Sequence, residues 1–149
     1  MNIFFDTSAL IKFFHEEPGT EKVTDLINNP GNNIFVSDLA RLEFISALYR
    51  RYRNNEIDEQ SLNEAISGFD EEYSSFHVEP LGNMVLQEAE NLIKNYGKTY
   101  GLRTLDAIHL ATFILIKEND DWLFVASDDH LIDTAKALGA LVFNPLHTT

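Results

Sequence analysis

The chain opens with the stretch that decides its fold class, Ile3-Phe4-Phe5-Asp6-Thr7-Ser8-Ala9-Leu10. Three apolar residues are followed at once by Asp, Thr and Ser, the residue types that cap the first turn of a helix. The stretch therefore predicts a buried strand over 3–5 and a helix over 8–14, with Asp6 at the junction. Near the other end of the chain, Leu123-Phe124-Val125-Ala126-Ser127-Asp128 predicts a second junction of the same kind.

The rest of the chain alternates between short apolar runs and longer helical patterns. It predicts further strands over 34–36, 76–79 and 141–143, and helices over 20–27, 38–53, 58–73, 85–96, 105–117 and 131–138. We expect the helix over 85–96 to close at Gly97. Short apolar strands separated by helices are typical of a parallel sheet covered on both faces. The pattern therefore predicts one α/β domain over 1–149, a three-layer α/β/α sandwich with a mostly parallel sheet.

The composition narrows the class of protein. With 44% apolar residues the chain can bury a core, and without cysteine it has no disulfide scaffold or thiolate metal site. No basic segment precedes the first apolar run, and no run is long enough to span a bilayer, so we expect a cytoplasmic protein without a membrane partner. The net charge of −13 argues against non-specific binding to nucleic acid, which depends on Lys and Arg.

Two acidic residues, Asp6 and Asp128, come just after predicted strands. In α/β sandwiches, ligands bind beyond the carboxyl ends of the strands, so both acids lie where a site is expected. Taken singly, each is more simply explained as the N-cap of the following helix.

Two more acids lie on predicted helices. Asp106 is in the first turn of a helix that is apolar almost all round, where a carboxylate needs a positive partner such as Arg103 or a metal ion. Glu43 shares a helical stripe with Leu39, which indicates a half-buried side chain; the alternative is a surface pair with Arg50. Carboxylates in such number suit Mg²⁺ or Mn²⁺, which accept oxygen ligands.

These acids lie in segments that together resemble a PIN domain, and in particular the VapC toxins. The segments are Ile3-Phe4-Phe5-Asp6-Thr7-Ser8-Ala9-Leu10, Leu42-Glu43, Leu105-Asp106-Ala107-Ile108-His109-Leu110-Ala111, Val125-Ala126-Ser127-Asp128 with Leu131, and Ala135, Leu138-Gly139 and Asn144-Pro145. The resemblance covers nearly the whole chain. It implies an α/β/α sandwich, Mg²⁺ or Mn²⁺ as cofactor, and endonucleolytic cleavage of RNA. It also implies a homodimer and a small antitoxin protein that blocks the site.

The resemblance further implies roles for individual residues. The implied catalytic and metal-binding residues are four acids, Asp6, Glu43, Asp106 and Asp128. Among them, Asp6 and Asp106 would be the main metal ligands. Ser8 would orient Asp6 through a hydrogen bond, and Asp129 is an extra acid next to Asp128.

Basic residues concentrate on the predicted helix over 38–53. They are interleaved with aromatic residues in the set Arg41, Tyr49, Arg50, Arg51, Tyr52 and Arg53. Arg41 and Arg50 are the candidates for binding RNA phosphates, and the alternative is a solvated face that balances an acidic protein. His109 comes three residues after Asp106, a spacing that can serve metals, but in a helix this apolar a hydrogen-bonded core histidine is favoured.

Other function classes fit the pattern less well. Phosphate-monoester chemistry at Asp6 would call for a second Asp two residues on, where the chain has Ser8. A phospho-acceptor receiver domain would call for a Lys at the end of a late strand, and the strand over 141–143 offers none. The non-enzymatic alternative is a catalytically silent PIN-like module that binds a protein partner.

Overall fold

Helices and strands alternate along residues 1–147, the part of the chain that the computed structural model describes. The elements are β1 (Asn2–Phe5), α1 (Thr7–Phe14), α2 (Thr20–Asn28), β2 (Asn33–Ser37), α3 (Leu39–Arg53), α4 (Glu59–Tyr73), β3 (His77–Glu79), α5 (Asn83–Tyr100), α6 (Thr104–Ile116), β4 (Trp122–Val125), α7 (Asp129–Ala137) and β5 (Val142–Phe143). The last two residues of the predicted domain, 148 and 149, lie outside the described residues. Over the described range, no helix is both long and apolar enough to cross a membrane.

The sheet has the strand order β3-β2-β1-β4-β5. Every pairing within residues 1–147 is parallel; at the centre, Ile3 of β1 lies beside Ile34 of β2 and Leu123 of β4. Parallel neighbours need a crossover connection, which the helices supply, and all carboxyl ends therefore lie at one edge of the sheet. The predicted α/β/α sandwich with a mostly parallel sheet is confirmed.

Strand β1 separates two hydrophobic cores because its side chains alternate between the two faces of the sheet. Ile3 and Phe5 pack with residues of α1, α2, α3 and α4, whereas Phe4 packs with residues of α5, α6 and α7. All three side chains are fully buried, and the ring of Phe4 stacks on Phe124 at a centroid distance of 5.9 Å. Burial of such side chains contributes roughly 1.5–3 kcal/mol each. The residue that follows β1 is therefore anchored to a strand whose apolar side chains are fully buried.

The predicted end of α5 at Gly97 is wrong, because the helix runs four residues further. It continues to Tyr100 and closes at Gly101, which has the positive φ of 65° that favours glycine. The N–H of Gly101 donates to the carbonyl oxygen of Gly97 at 3.0 Å. A glycine inside a helix costs only about 1 kcal/mol relative to alanine, so Gly97 does not by itself stop the helix.

Candidate active site

Asp6 lies where β1 ends and α1 begins. Its N–H continues the sheet by donating to the carbonyl oxygen of Val125 at 2.9 Å, and its side chain caps α1. The Oδ2 atom accepts hydrogen bonds from the backbone N–H of Ser8, at 3.1 Å, and from the Ser8 hydroxyl. That hydroxyl in turn accepts from the N–H of Ser127 at 3.0 Å. Ser8 therefore connects the buried Asp6 carboxylate to the end of β4.

Glu43, on α3, is held by side chains from two other helices. The Thr7 hydroxyl on α1 donates to Glu43 Oε1 at 2.8 Å, and Nε2 of His109 on α6 lies 2.5 Å from the same oxygen. His109 Nε2 also lies 3.3 Å from Thr7 Oγ1 and 3.7 Å from Asp6 Oδ1. Glu43 therefore faces the centre of the acidic cluster and is bound there from α1 and α6, whereas the surface alternative paired it with Arg50.

His109 is buried and hydrogen-bonded, as the interpretation of a core histidine predicts. Only 1% of its surface is exposed. Its partners, however, are Glu43, Thr7 and Asp6, so it belongs to the candidate site as well as to the core. The sequence signals that indicate this are its spacing of three residues from Asp106 and the position of Thr7 directly after Asp6.

Asp106 and Asp128 share one arginine. The Arg103 guanidinium lies 3.6 Å from Asp106 Oδ2 through Nε and 3.5 Å from Asp128 Oδ2 through a terminal nitrogen. Asp128 also caps α7, since its Oδ1 accepts from the N–H of Leu131 at 3.1 Å. The Arg103 side chain is 77% exposed, so water screens both of its ion pairs. Asp128 therefore caps α7 and also belongs to the acidic cluster.

A cavity of about 500 Å³ opens at the carboxyl edge of the sheet. Three of the predicted acids, Asp6, Glu43 and Asp106, line it together with Ser8 and Arg50. Asp128 is not among the lining residues and joins the group through Arg103. Within residues 1–147, this cavity brings most of the predicted site residues together.

Two other predicted residues lie elsewhere. The Arg41 guanidinium pairs with Asp70 of α4 and lines a neighbouring groove without any of the four acids. Asp129 accepts hydrogen bonds from Asn144 at 3.0 Å and from His147 at 2.8 Å, at a separate cavity near the carboxyl terminus. Of the two arginines predicted to bind RNA, the fold therefore places Arg50 beside the acids and Arg41 apart from them.

Comparison with known proteins identifies the fold. The profile of the PIN domain matches residues 3–137. The chain belongs to the PIN domain family. A comparison with curated proteins finds no match to the sequence.

Solved structures similar to this PIN domain share its fold over nearly their whole length. FitAcB from Neisseria gonorrhoeae is 17% identical with a TM-score of 0.71, and the alignment covers 98% of this chain and 99% of that one. A toxin-antitoxin complex from Klebsiella pneumoniae is 18% identical with a TM-score of 0.62, covering 98% and 99%. Mycobacterium tuberculosis VapC20, described as a sarcin-ricin loop cleaving toxin, is 16% identical with a TM-score of 0.66, covering 93% and 96%.

The electrostatics of this PIN domain differ from one acid to the next. Burial, followed by the negative charges of Asp6 and Asp128, raises the pKa of Asp106 to about 6, and Arg103 offsets only part of this effect. Burial would also raise the pKa of Glu43, but the hydrogen bond and charge of His109 and the hydrogen bond of Thr7 outweigh it and lower that pKa. Of these two acids, Asp106 is therefore the one whose surroundings disfavour the negative charge.

The carboxylates of this PIN domain fit a hard divalent cation. No group of three His, Cys, Asp or Glu side chains in the described part of the chain is already arranged to hold a metal ion. Mg²⁺ is usually bound through one or two carboxylates and keeps several waters, so two acids of the cavity suffice as direct ligands. Asp106 is consistent with this fit, because a cation beside it would stabilise the charge that burial and the neighbouring acids disfavour.

Proposed function

We propose that this PIN domain is a Mg²⁺- or Mn²⁺-dependent endoribonuclease and the toxin of a toxin–antitoxin pair. The observation that carries the proposal is that Asp6, Glu43 and Asp106 line one cavity at the carboxyl edge of the sheet. Two solved structures of the same fold support it, because one is described as a loop-cleaving toxin and another as a toxin-antitoxin complex.

In this proposal Asp6 and Asp106 hold the ion, with Glu43 and Asp128 completing the acidic cluster. A bound Mg²⁺ or Mn²⁺ neutralises phosphate charge and lowers the pKa of a coordinated water. The chain's own contribution is to hold the ligands in place. Ser8 fixes the Asp6 carboxylate through two hydrogen bonds to Oδ2, and Arg103 balances the charge of Asp106 and Asp128.

Arg50 is the residue that we propose to bind an RNA phosphate beside the acids. Among the described residues that line the cavity, it is the one basic side chain. An ion and Arg50 together supply positive charge at the cavity, while the net charge of −13 repels nucleic acid elsewhere on the surface. In this proposal the cavity is the main place where RNA is bound. Arg41, already paired with Asp70, contributes less.

Exposed apolar side chains, two of them at the cavity, support protein partners. Leu42 and Leu105 line the cavity and are exposed, Leu42 to 67%, and Leu81, Met84 and Leu86 are exposed elsewhere. Exposed apolar patches mark surfaces that bind other proteins. A small antitoxin and a second copy of this chain are the two partners that the proposal assigns to these side chains, and the cytoplasm is the compartment in which it places them.

The test is cleavage of a structured RNA by purified protein, with millimolar Mn²⁺ or with a chelator. We expect cleavage with Mn²⁺ only, and loss of at least about a hundredfold in rate for Asp106→Asn, which keeps shape and removes charge. Asp58→Asn is the matched control, because Asp58 is an exposed N-cap of α4 that lines a different cavity, without any of the four acids. A catalytically silent PIN-like module would fold and bind a partner but leave the RNA intact under both conditions. That outcome would refute the proposed nuclease activity.

A further inference from the structure

The carboxylate of Glu43 is held entirely by residues of other helices. Both of its hydrogen bonds end on Oε1, one from Thr7 on α1 and one to His109 on α6. The second oxygen, Oε2, accepts no hydrogen bond within residues 1–147, and Glu43 lines the cavity. A long side chain on a helix surface would otherwise exchange among several rotamers.

The donors and acceptors fix which atom carries the proton between His109 and Glu43. A carboxylate only accepts hydrogen bonds, and a hydroxyl has a single proton to donate. The Thr7 hydroxyl donates its proton to Glu43 Oε1. Because the same oxygen also lies 2.5 Å from His109 Nε2 and can only accept, Nε2 must carry a proton. His109 is therefore a donor to Glu43, and its Nε2 also lies 3.3 Å from Thr7 Oγ1.

The other ring nitrogen of His109 has no comparable role. Within residues 1–147, Nδ1 is buried and has no hydrogen-bond partner. A histidine kept only to fill the core would leave two polar nitrogens to be satisfied, whereas a leucine of similar size would leave none. The polar contacts of this ring are all with Glu43, Thr7 and Asp6.

We propose that His109 is a positioning residue, which together with Thr7 fixes Glu43 so that Oε2 faces the cation and substrate in the cavity. This inference rests on the proposed function and deepens it, because it explains how an acid on a surface helix becomes a fixed member of the site. Residues that hold a metal-binding side chain in place commonly change metal affinity by about 10- to 100-fold when they are mutated.

The experiment is calorimetric titration of Mn²⁺ into the full-length protein, without RNA. His109→Leu removes the donor and keeps the volume, His109→Asn keeps polarity but is too short to reach Glu43, and His109→Gln places an amide N–H near the position of Nε2. We expect the Mn²⁺ dissociation constant to rise about tenfold or more for the Leu and Asn variants, and to stay within about threefold of wild type for Gln.

Two further variants separate positioning from core packing. Thr112→Val is the matched control, because Thr112 is buried on the same helix and bonds only to the carbonyl oxygen of Ile108, at 2.8 Å. It should change the melting temperature without changing Mn²⁺ affinity. In a Glu43→Gln background, His109→Asn should weaken Mn²⁺ binding no further, because His109 acts through Glu43.

The outcomes are distinguishable. Wild-type affinity in both the Leu and Asn variants would overturn the inference while leaving the metal site in place. An equal loss with and without Glu43→Gln would overturn it too, since His109 would then act on another ligand. Absence of Mn²⁺ binding by the wild-type protein would instead overturn the proposed function, and this inference with it.

Discussion

The acidic cluster has two ends that are built differently. At the closed end, Asp6 and Glu43 accept hydrogen bonds of 3.1 Å or less from Ser8, Thr7 and His109. At the open end, Asp106 and Asp128 share the exposed Arg103 at 3.5–3.6 Å. The closed end is held by side chains of α1 and α6, whereas Asp106 and Asp128 share one solvent-screened arginine and Asp128 also accepts from the N–H of Leu131.

This difference separates Glu43, whose negative charge is stabilised by hydrogen bonds, from Asp106, whose negative charge is disfavoured. Hydrogen bonds from His109 and Thr7 outweigh burial at Glu43 and lower its pKa. Within residues 1–147, Asp106 accepts no such hydrogen bond, and burial with two negative neighbours raises its pKa to about 6. In the proposed site the closed end would supply fixed geometry, and the open end would supply the carboxylate whose charge a cation stabilises.

The largest expected effect distinguishes Asp6 at the closed end from Asp128 at the open end; Asp106 lines the cavity with Asp6 and should match it. Asp6→Asn should reduce the rate of RNA cleavage by at least about a hundredfold, because the charge it removes lines the cavity. Asp128→Asn should reduce it by about tenfold, because Asp128 joins the site only through Arg103. Asn caps helices about as well as Asp, so both variants should fold. Equal losses at saturating Mn²⁺ would show that the two ends do not differ in this way.

The next effect concerns pH and stability without metal. The pKa of Asp106 is raised from 3.8 to about 6, so the folded state holds this proton more tightly than the unfolded chain does. The free energy of unfolding therefore falls by roughly 2 kcal/mol as pH rises from about 4 to about 6, because the folded state must then ionise a carboxyl group that it disfavours in the charged form. Asp106→Asn should abolish that loss in urea denaturation at pH 4 to 7 with chelator.

Glu43 gives the opposite sign and serves as the comparison for Asp106. Its lowered pKa stabilises the fold above the unfolded value of 4.5, and this contribution is lost as pH falls through the folded value. Glu43→Gln should therefore remove stability at neutral pH, where Asp106→Asn adds it. The comparison between the ends fails if both variants shift the pH profile in the same direction.

The smallest effect tests the second role of Asp128. Asp128→Ala removes the hydrogen bond to the N–H of Leu131 and should cost about 1 kcal/mol, whereas Asp128→Asn should cost little. Asp58→Ala is the matched control. It removes the hydrogen bond that the N–H of Ser61 donates to the N-cap of α4, and Asp58 is not one of the four acids of the site. Chemical denaturation measures all three. A large loss for Asp128→Asn would mean that Asp128 stabilises the fold mainly through its charge.

Much of the fold follows from local sequence. The junction at Asp6 was predictable because an apolar strand and a capping sequence are adjacent in the chain, and the same holds for Asp128. The end of α5 was not, since Gly97 and Gly101 are both plausible stops and only the left-handed backbone at Gly101 decides between them. The ion pair between Arg103 and Asp106 was predictable, because the two residues lie three positions apart at the start of α6.

The site was less predictable than the fold, because its contacts join residues far apart in sequence. Thr7 and His109 are 102 residues apart, and Glu43 lies between them in the chain. The apolar pattern around His109 indicates burial and its spacing from Asp106 indicates the site, but neither pattern identifies Glu43 as its hydrogen-bond partner. Likewise, Arg41 and Arg50 are equivalent in sequence, and only the position of α4 pairs Arg41 with Asp70.

The most direct test of the central claim is to locate Mn²⁺ in crystals by anomalous diffraction. One Mn²⁺ should lie in the cavity about 2–2.5 Å from carboxylate oxygens of Asp6 and Asp106, with water completing its coordination. Crystals of Asp106→Asn should show a much weaker peak. A cavity without Mn²⁺, at a concentration that supports RNA cleavage, would contradict the claim that these acids form a metal-dependent nuclease site.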